Sequence, residues 1–532
     1  MSIALAALAS NLLLSIQGWN LPILDAHAFR QTQTALSSYW FVQEGFRLDY
    51  ITPVLGPPWE IPLEFPLYQW IAAALHQFTG YGLDQCGRLV SLLFFYATLV
   101  PAFLLARFLW KDSRAGWILV SLMLVNPIHV FWGRTFMIET TVLFFCTAFL
   151  WFFTKAMYEG RVHNHLLAIL CGCLAGLVKP TTYASFLLVA FAIYVHVAYL
   201  HRRGWGARQW AVFLARGAAL TLISIVVTYA WTKHCDSIKA LHPYQPLISN
   251  SDEQREWIYG SINQRLSWPL WQRWVIGYNG WVQAMMPTLG WVGVVAIAMA
   301  IVAALLTSGR RAVIGLVALA ALLSGPLVFF NLYRHDYYQM AITIWACVLV
   351  AFAFVEGIRR FWFLQFALPA FLLVVVIGYT QSGYMAQQER SPARYAEFME
   401  VANYLKSETD PDRDVLLVLG QDWTSEFAYY TGRKVRMQRL TDIDSLTSEQ
   451  FEGFRKALDA AGMRIGAIAL STPVSDQVRQ HLLASFVPQG SQAPTAVPFP
   501  LSRDRLSAWP QDPRIPQWTS GVVYLIPPAP GT

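Results

Sequence analysis

The sequence predicts a polytopic α-helical membrane protein of about eleven transmembrane helices, followed by a C-terminal extracytoplasmic α/β domain. Three observations carry this. Of 532 residues, 55% are hydrophobic and only 13% charged, against roughly 25% charged in an average soluble domain, so much of the surface must face lipid. Apolar runs recur at lengths near the roughly 20 residues that cross a hydrocarbon core. From residue 381 the texture changes to short apolar strands alternating with helix-like segments.

The spans read as 2–18, 88–109, 115–131, 139–157, 165–178, 181–200, 211–231, 288–307, 312–330, 338–356 and 361–380. The first run lacks a basic flank and reads as an uncleaved span rather than a signal peptide. The interruption at Lys179-Pro180 decides the topology, because Pro disfavours helix at the residue before it. A hairpin there keeps the basic clusters Arg107/Lys111/Arg114, Lys155/Arg161, Arg202/Arg203/Arg208, Arg310/Arg311 and Arg359/Arg360 on one side, the cytoplasmic side. The loops 19–87 and 232–287 and the tail then lie outside, on the periplasmic side of a bacterial inner membrane. The chain divides into a transmembrane module, 1–380, and a periplasmic domain, 381–532.

In the tail, helices are expected over 394–407, 447–461 and 474–485, and strands at 414–419, 465–470 and 522–526, with an irregular Pro-rich stretch at 493–516. Trp257, Trp268, Trp271, Trp274 and Trp281 in the loop 232–287 suit a helix lying in the membrane interface. The 22 Trp and 23 Tyr fit interfacial belts. The net charge of +7 does not indicate nucleic acid, since the basic residues sit between apolar segments. Of six Cys, Cys86 and Cys235 fall in external loops and read as two free thiols, with a disulfide between them as the alternative.

Polar residues concentrate on the external face. The first loop contains Asp25-Ala-His27-Ala-Phe-Arg30, where Asp25 suits an N-cap for a helix over 26–44 and equally a reactive carboxylate. Glu64-Phe-Pro66-Leu-Tyr68-Gln-Trp70 follows, then Gly133-Arg134-Thr-Phe-Met-Ile-Glu139, with Glu139 at a helix N-terminus that favours an acid. Lys179 is a cation on the face where basic residues are disfavoured, which makes it a functional candidate ahead of a snorkelling anchor. The turn Asn331-Leu-Tyr333-Arg334-His335-Asp336-Tyr337-Tyr338-Gln339 packs six polar or aromatic groups between two spans.

Together these motifs resemble the GT-C superfamily of membrane glycosyltransferases over roughly residues 20–380. The nearest branches are the dolichyl-phosphate-mannose protein mannosyltransferases and the aminoarabinose transferases of lipid A. Phe65 stands where the latter carry Lys. The resemblance implies a sugar donor on a polyprenyl-phosphate carrier, with Asp25 as the principal catalytic acid, Glu139 as its acidic companion and Glu64 shaping the sugar pocket. Tyr68, His335, Asp336 and Tyr338 fall in the matching motifs as substrate-binding residues. Arg134, Lys179 and Arg334 are the cations available to a leaving phosphate. Asp25 would take the proton of a lipid, glycan or protein acceptor as it attacks, inverting the anomeric centre. This chemistry requires no cofactor; His335 with Glu64 is the pair that would take a divalent metal. A transporter or flippase would need polar residues deep in several spans and related halves, and neither is evident. A ligase or polymerase using a pyrophosphate-linked donor is the enzymatic alternative.

Overall fold

The computed structural model describes residues 2–243, 245–275, 297–302, 310–332, 335–385, 392–420, 424–438, 448–470, 476–500 and 520–528. The membrane module runs α1 (Ser2–Ser15), α2 (Ala28–Glu44), α3 (Leu67–Thr79), α4 (Leu83–Trp110), α5 (Ser113–Val125), α6 (Pro127–Trp132), α7 (Glu139–Glu159), α8 (Val162–Val178), α9 (Pro180–His201) and α10 (Ala207–Lys239). After short helices between Gln245 and Val275 come α11 (Arg310–Val328), α12 (Gln339–Arg360) and α13 (Ala367–Val374). Among the described residues, five helices are long and apolar enough to cross a membrane: α4, α7, α9, α10 and the segment Asp336–Arg360. Helices α1, α5 and α8 are shorter and apolar.

Three expected spans differ. The run 361–380 is split into a 3-10 stretch Trp362–Phe366, the eight-residue α13 and a π-helical stretch Val375–Met385. The run 115–131 breaks at Asn126, whose side chain accepts from the His129 amide while Pro127 opens α6, the N-terminal chemistry of a new helix. The last helix before the loop 232–287 continues to Lys239, so the span 211–231 lengthens at both ends. The expected span 288–307 lies outside the described residues except for helical 297–302.

The chain turns back at Lys179, as Pro180 predicts, and α10 serves as the ruler. A Cβ at Gly160, before α8, would lie 3.2 Å from the Arg216 guanidinium, and one at Gly176 would meet Thr228. Helix α9 runs the other way, with the Tyr183 hydroxyl 2.8 Å from Ser224 Oγ and Tyr194 against Gly217. Lys179 itself is extended, at φ −158° and ψ 94°. The small residues Ala168, Gly172, Ala175 and Gly176 are what let α8 lie this close to its neighbours. The hairpin puts the loops bearing Lys111, Arg161 and Arg202 at one end, where Arg359 reaches Asp112 at 3.7 Å. Lys179 lies at the opposite end, beside the first loop, where the Phe65 amide donates to the Leu177 carbonyl.

The tail carries α14 (Pro392–Glu408), β1 (Asp414–Leu419), α15 (Glu426–Thr431), β2 (Lys434–Gln438), α16 (Ser448–Ala460), β3 (Arg464–Leu470), α17 (Asp476–Phe486), β4 (Thr495–Pro500) and β5 (Ser520–Leu525). The sheet order is β2-β1-β3-β5-β4. Strands β1, β2 and β3 are parallel, and β5 runs antiparallel to β3 and β4. The stretch expected to be irregular therefore begins with a strand; β4 is an edge, where Pro498 and Pro500 are tolerated. Residues 501–519 of that stretch lie outside the described residues.

The first loop joins this sheet. The amides of Val435 and Met437 donate to the carbonyls of Pro53 and Val54 at 3.0 and 2.9 Å, and Gly56 donates back to Val435 at 3.2 Å. Helix α15 seals the joint: the Tyr430 hydroxyl accepts from the Ile23 amide at 2.7 Å and donates to Asp84 at 3.0 Å, beside Tyr429 at 2.5 Å. Tyr430→Phe should cost about 1–3 kcal/mol, because a buried amide and a carboxylate each lose a partner. The readout is the thermal midpoint in detergent; an unchanged midpoint would show the contact to be dispensable. Cys86 and Cys235 are both buried free thiols.

Candidate functional site

The site forms where the first loop, the start of α7, the Lys179 turn and the turn before α12 meet. Its floor is fixed by buried arginines. Arg88 donates to the Gly18 and Trp19 carbonyls at 2.5 and 2.8 Å, and Arg134 donates to the Gln17 carbonyl. Arg134, expected at the donor phosphate, is used here to tie down the turn after α1. Tyr68, expected at the sugar, is fully buried between α3 and α4, with its hydroxyl on the Gly87 carbonyl and Ser91 Oγ at 2.8 and 3.0 Å.

Asp25 does not cap the following helix. Helix α2 begins at Ala28 with His27 as N-cap and no side-chain cap. Asp25 is 4% exposed, and its carboxylate accepts from Gln31 Nε2. Gln31 Nε2 also donates to the Ala26 carbonyl at 2.9 Å, and its Oε1 accepts from the Phe136 amide at 3.3 Å. One side chain thus orients Asp25 and links it to the loop leading into Glu139.

His27 takes φ +50°, a left-handed conformation in which His is enriched among non-glycine residues. That geometry turns its ring toward the later turn, where Nε2 lies 3.0 Å from Asp336 Oδ1. The ring also meets His335 at 5.3 Å and Tyr337 at 4.9 Å between centroids. Trp257 reaches the same cluster, 6.3 Å from His335; the described part of the loop, 245–275, is a string of short helices rather than a single interfacial one, and Trp281 lies outside the described residues.

Among the described residues two cations complete the site, Lys179 buried and Arg30 largely so, each held by its own carboxylate. Lys179 Nζ donates to both oxygens of Glu139 at 2.6 Å and lies 4.0 Å from the centroid of the Tyr338 ring. Glu139, expected beside Asp25, is therefore the anchor of Lys179. Arg30 Nη2 lies 3.4 Å from both oxygens of Glu64, which also accepts from Gln69 at 2.9 Å. Burial opposes the Arg30 charge, but Glu64, then Tyr338, Tyr337 and Glu139, outweigh it and raise its pKa. Burial pulls the Lys179 pKa below its ordinary value, against the attraction of Glu139.

Sequence reading singled out Lys179, Glu139, Glu64, His335, Asp336 and Tyr338, and the fold brings these together. It missed Arg30, Gln31, Gln69 and Tyr337 as members; the available signal was Arg30 itself, a cation in a short polar stretch on the external face. Arg334 lies outside the described residues. Among the described residues no group of three or more His, Cys, Asp or Glu side chains is placed to hold a metal ion; Glu64 instead faces Arg30 and Gln69.

Residues 61–231 match the family model described as dolichyl-phosphate-mannose-protein mannosyltransferase. No curated protein sequence matches the chain. Solved structures do. ArnT from Cupriavidus metallidurans bound to undecaprenyl phosphate aligns with a TM-score of 0.61 at 15% identity, covering 98% of this chain and 99% of that one. The archaeal oligosaccharyltransferase AglB from Archaeoglobus fulgidus, in complex with an inhibitory peptide and a dolichol-phosphate, gives 0.53 at 12% identity, over 88% and 69%. The mycobacterial arabinofuranosyltransferase AftD gives 0.52 at 16% identity, over 99% of this chain but 40% of that one. These are GT-C superfamily glycosyltransferases. The chain therefore has the GT-C fold, with a match to the dolichyl-phosphate-mannose-protein mannosyltransferase family within residues 61–231.

Proposed function

We propose that the protein is an inverting glycosyltransferase that moves a sugar from a polyprenyl-monophosphate carrier to an extracytoplasmic lipid, glycan or protein acceptor. The observation that carries this reading is the pair Lys179 and Arg30. Lys179 is buried and Arg30 largely so, the two are within electrostatic reach of each other, and both retain donors. An ammonium has three N–H groups and a guanidinium five, and their carboxylates occupy only some of them. A phosphate monoester anion at the membrane edge is the partner such a pair suits. The undecaprenyl phosphate bound to ArnT, which shares the fold, supports the same ligand class.

In this mechanism the acceptor oxygen attacks the anomeric carbon while the bond from that carbon to the phosphate oxygen breaks. The electron pair goes to the phosphate, which gains negative charge, and Lys179 and Arg30 stabilise it as it leaves. The acceptor proton goes to Asp25, held in position by Gln31. Glu64 and Glu139 aim the cations, and the aromatic turn with His27, Asp336 and Trp257 lines the sugar and acceptor side. The basic loops at the other end would face the cytoplasm. In intact cells, a cysteine at Gly204 should resist an impermeant thiol reagent and one at Gly453 should react; both positions have open space for a side chain. The reverse pattern would put the site in the cytoplasm.

The test of function is mass spectrometry of envelope lipids, glycans and proteins with and without the gene. Loss of one sugar substituent is expected. Unchanged substituents with altered lipid distribution between leaflets would point to a flippase instead.

A further inference from the structure

The end of the bundle remote from the charged cluster holds a second built feature. Helix α4 runs 28 residues, about 42 Å, from Leu83 beside the first loop to Trp110. Around its C-terminal end lies a cavity of ≈ 760 Å³ lined by Arg107, Lys111, Trp151, Tyr158, His196 and Tyr199, among others. A narrower cavity of ≈ 90 Å³ penetrates the bundle behind it, walled by residues such as Leu105, Leu150, Ala192 and Val317. Tyr158 and His196 line both, so the two adjoin.

The charge at this mouth is uncompensated. Arg107 in the last turn of α4 and Lys111, the residue that ends it at φ +52°, are both exposed, and neither forms an ion pair with a carboxylate among the described residues. Lys155 adds positive charge nearby, over the Phe108 and Trp151 rings at 5.6 and 5.5 Å, but Glu159 neutralises it. Two unpaired cations, a ring of Trp and Tyr, and a hydrocarbon-lined slot opening behind them follow the profile of a phospholipid: anionic headgroup, interface, chain. Basic pockets between transmembrane helices bind such headgroups, and Trp and Tyr sit at their level.

We propose that this is a site for an anionic glycerophospholipid, with its headgroup phosphate between Arg107 and Lys111 and one acyl chain in the apolar slot. It is separate from the donor site by the length of α4 and does not depend on the reaction assigned above.

The experiment measures lipid binding to the full-length protein by native mass spectrometry, using dioleoyl phosphatidylglycerol, dioleoyl phosphatidylcholine and soluble sn-glycerol 3-phosphate. Phosphatidylglycerol should bind in preference to phosphatidylcholine. Arg107→Gln with Lys111→Gln should weaken it about thirtyfold, roughly fivefold per cation. Ala192→Trp, which fills the slot and leaves the cations, should weaken phosphatidylglycerol as well. Glycerol 3-phosphate should bind far more weakly than the lipid. Equal binding of the two lipids, an unaffected double variant, or an unaffected Ala192→Trp would overturn the site. So would glycerol 3-phosphate binding as tightly as the lipid, which would leave a phosphate pocket with no role for the chain.

Discussion

Asp25→Asn should lower turnover by about 10²–10⁴-fold, the range a positioned general base supplies, while donor affinity stays near wild type. The geometry makes this a clean substitution. The carboxylate is buried and accepts from Gln31, and an asparagine oxygen can accept the same bond in the same volume. Asp25 is not the helix cap, so the change does not strip α2 of a terminal partner. What is lost is basicity. Gln31→Leu should follow in the same direction with a smaller effect, because Asp25 would keep its charge but lose the group that orients it and the link to the Phe136 amide. The readouts are single-turnover rate and donor affinity on purified protein. Near-normal turnover in Asp25→Asn would reassign the base.

Lys179→Ala should weaken donor binding and slow the chemical step together, but it carries a second consequence that must be separated. Glu139 is 1% exposed, and both of its oxygens rest on Lys179. Removing one partner of a buried ion pair costs about 3–5 kcal/mol, so the single variant should also be less stable. Lys179→Ala with Glu139→Gln removes the orphaned charge. That double variant should regain stability and still bind donor about ten- to a hundredfold more weakly, the value of a hydrogen bond to a charged partner at about 1.5–3 kcal/mol. Recovery of donor binding in the double variant would make the pair purely structural. Because burial lowers the Lys179 pKa, its charge is lost as pH rises, below the ordinary lysine range. Donor affinity should fall on that alkaline side, and Lys179→Arg should move the fall to higher pH.

What the sequence made legible was local or statistical. Pro180 announced the hairpin because a proline constrains its predecessor whatever surrounds it. Strand β1 was readable as an unbroken apolar run, Asp414-Val-Leu-Leu-Val-Leu419, since a strand covered on both faces needs no alternation. Strand β2 was missed because Lys434-Val-Arg-Met-Gln438 looks polar until Val435 and Met437 are seen to be buried. Its pairing with 53–56 depends on two segments almost 400 residues apart in the chain, which no local pattern encodes. The site divides the same way. Lys179 stood out as a charge in the wrong place, whereas Arg30 needed Glu64, 34 residues on, to gain a role. Tyr68 and Arg134 matched the motifs by spacing, yet the fold uses the Tyr68 hydroxyl on the Gly87 carbonyl and the Arg134 guanidinium on the Gln17 carbonyl. A motif fixes which residues are present; the direction of a side chain is set by packing.

The central claim, that a polyprenyl-monophosphate sugar is the donor, is tested most directly by product analysis in proteoliposomes. The purified protein is given sugars linked to polyprenyl monophosphate, to polyprenyl pyrophosphate and to a nucleotide, with an envelope extract as acceptor. One monophosphate-linked sugar should be consumed, with one polyprenyl phosphate released per sugar transferred and the anomeric configuration inverted, and Asp25→Asn should release none. Consumption of only the pyrophosphate-linked or nucleotide-linked sugar, or transfer with retention, would contradict the account.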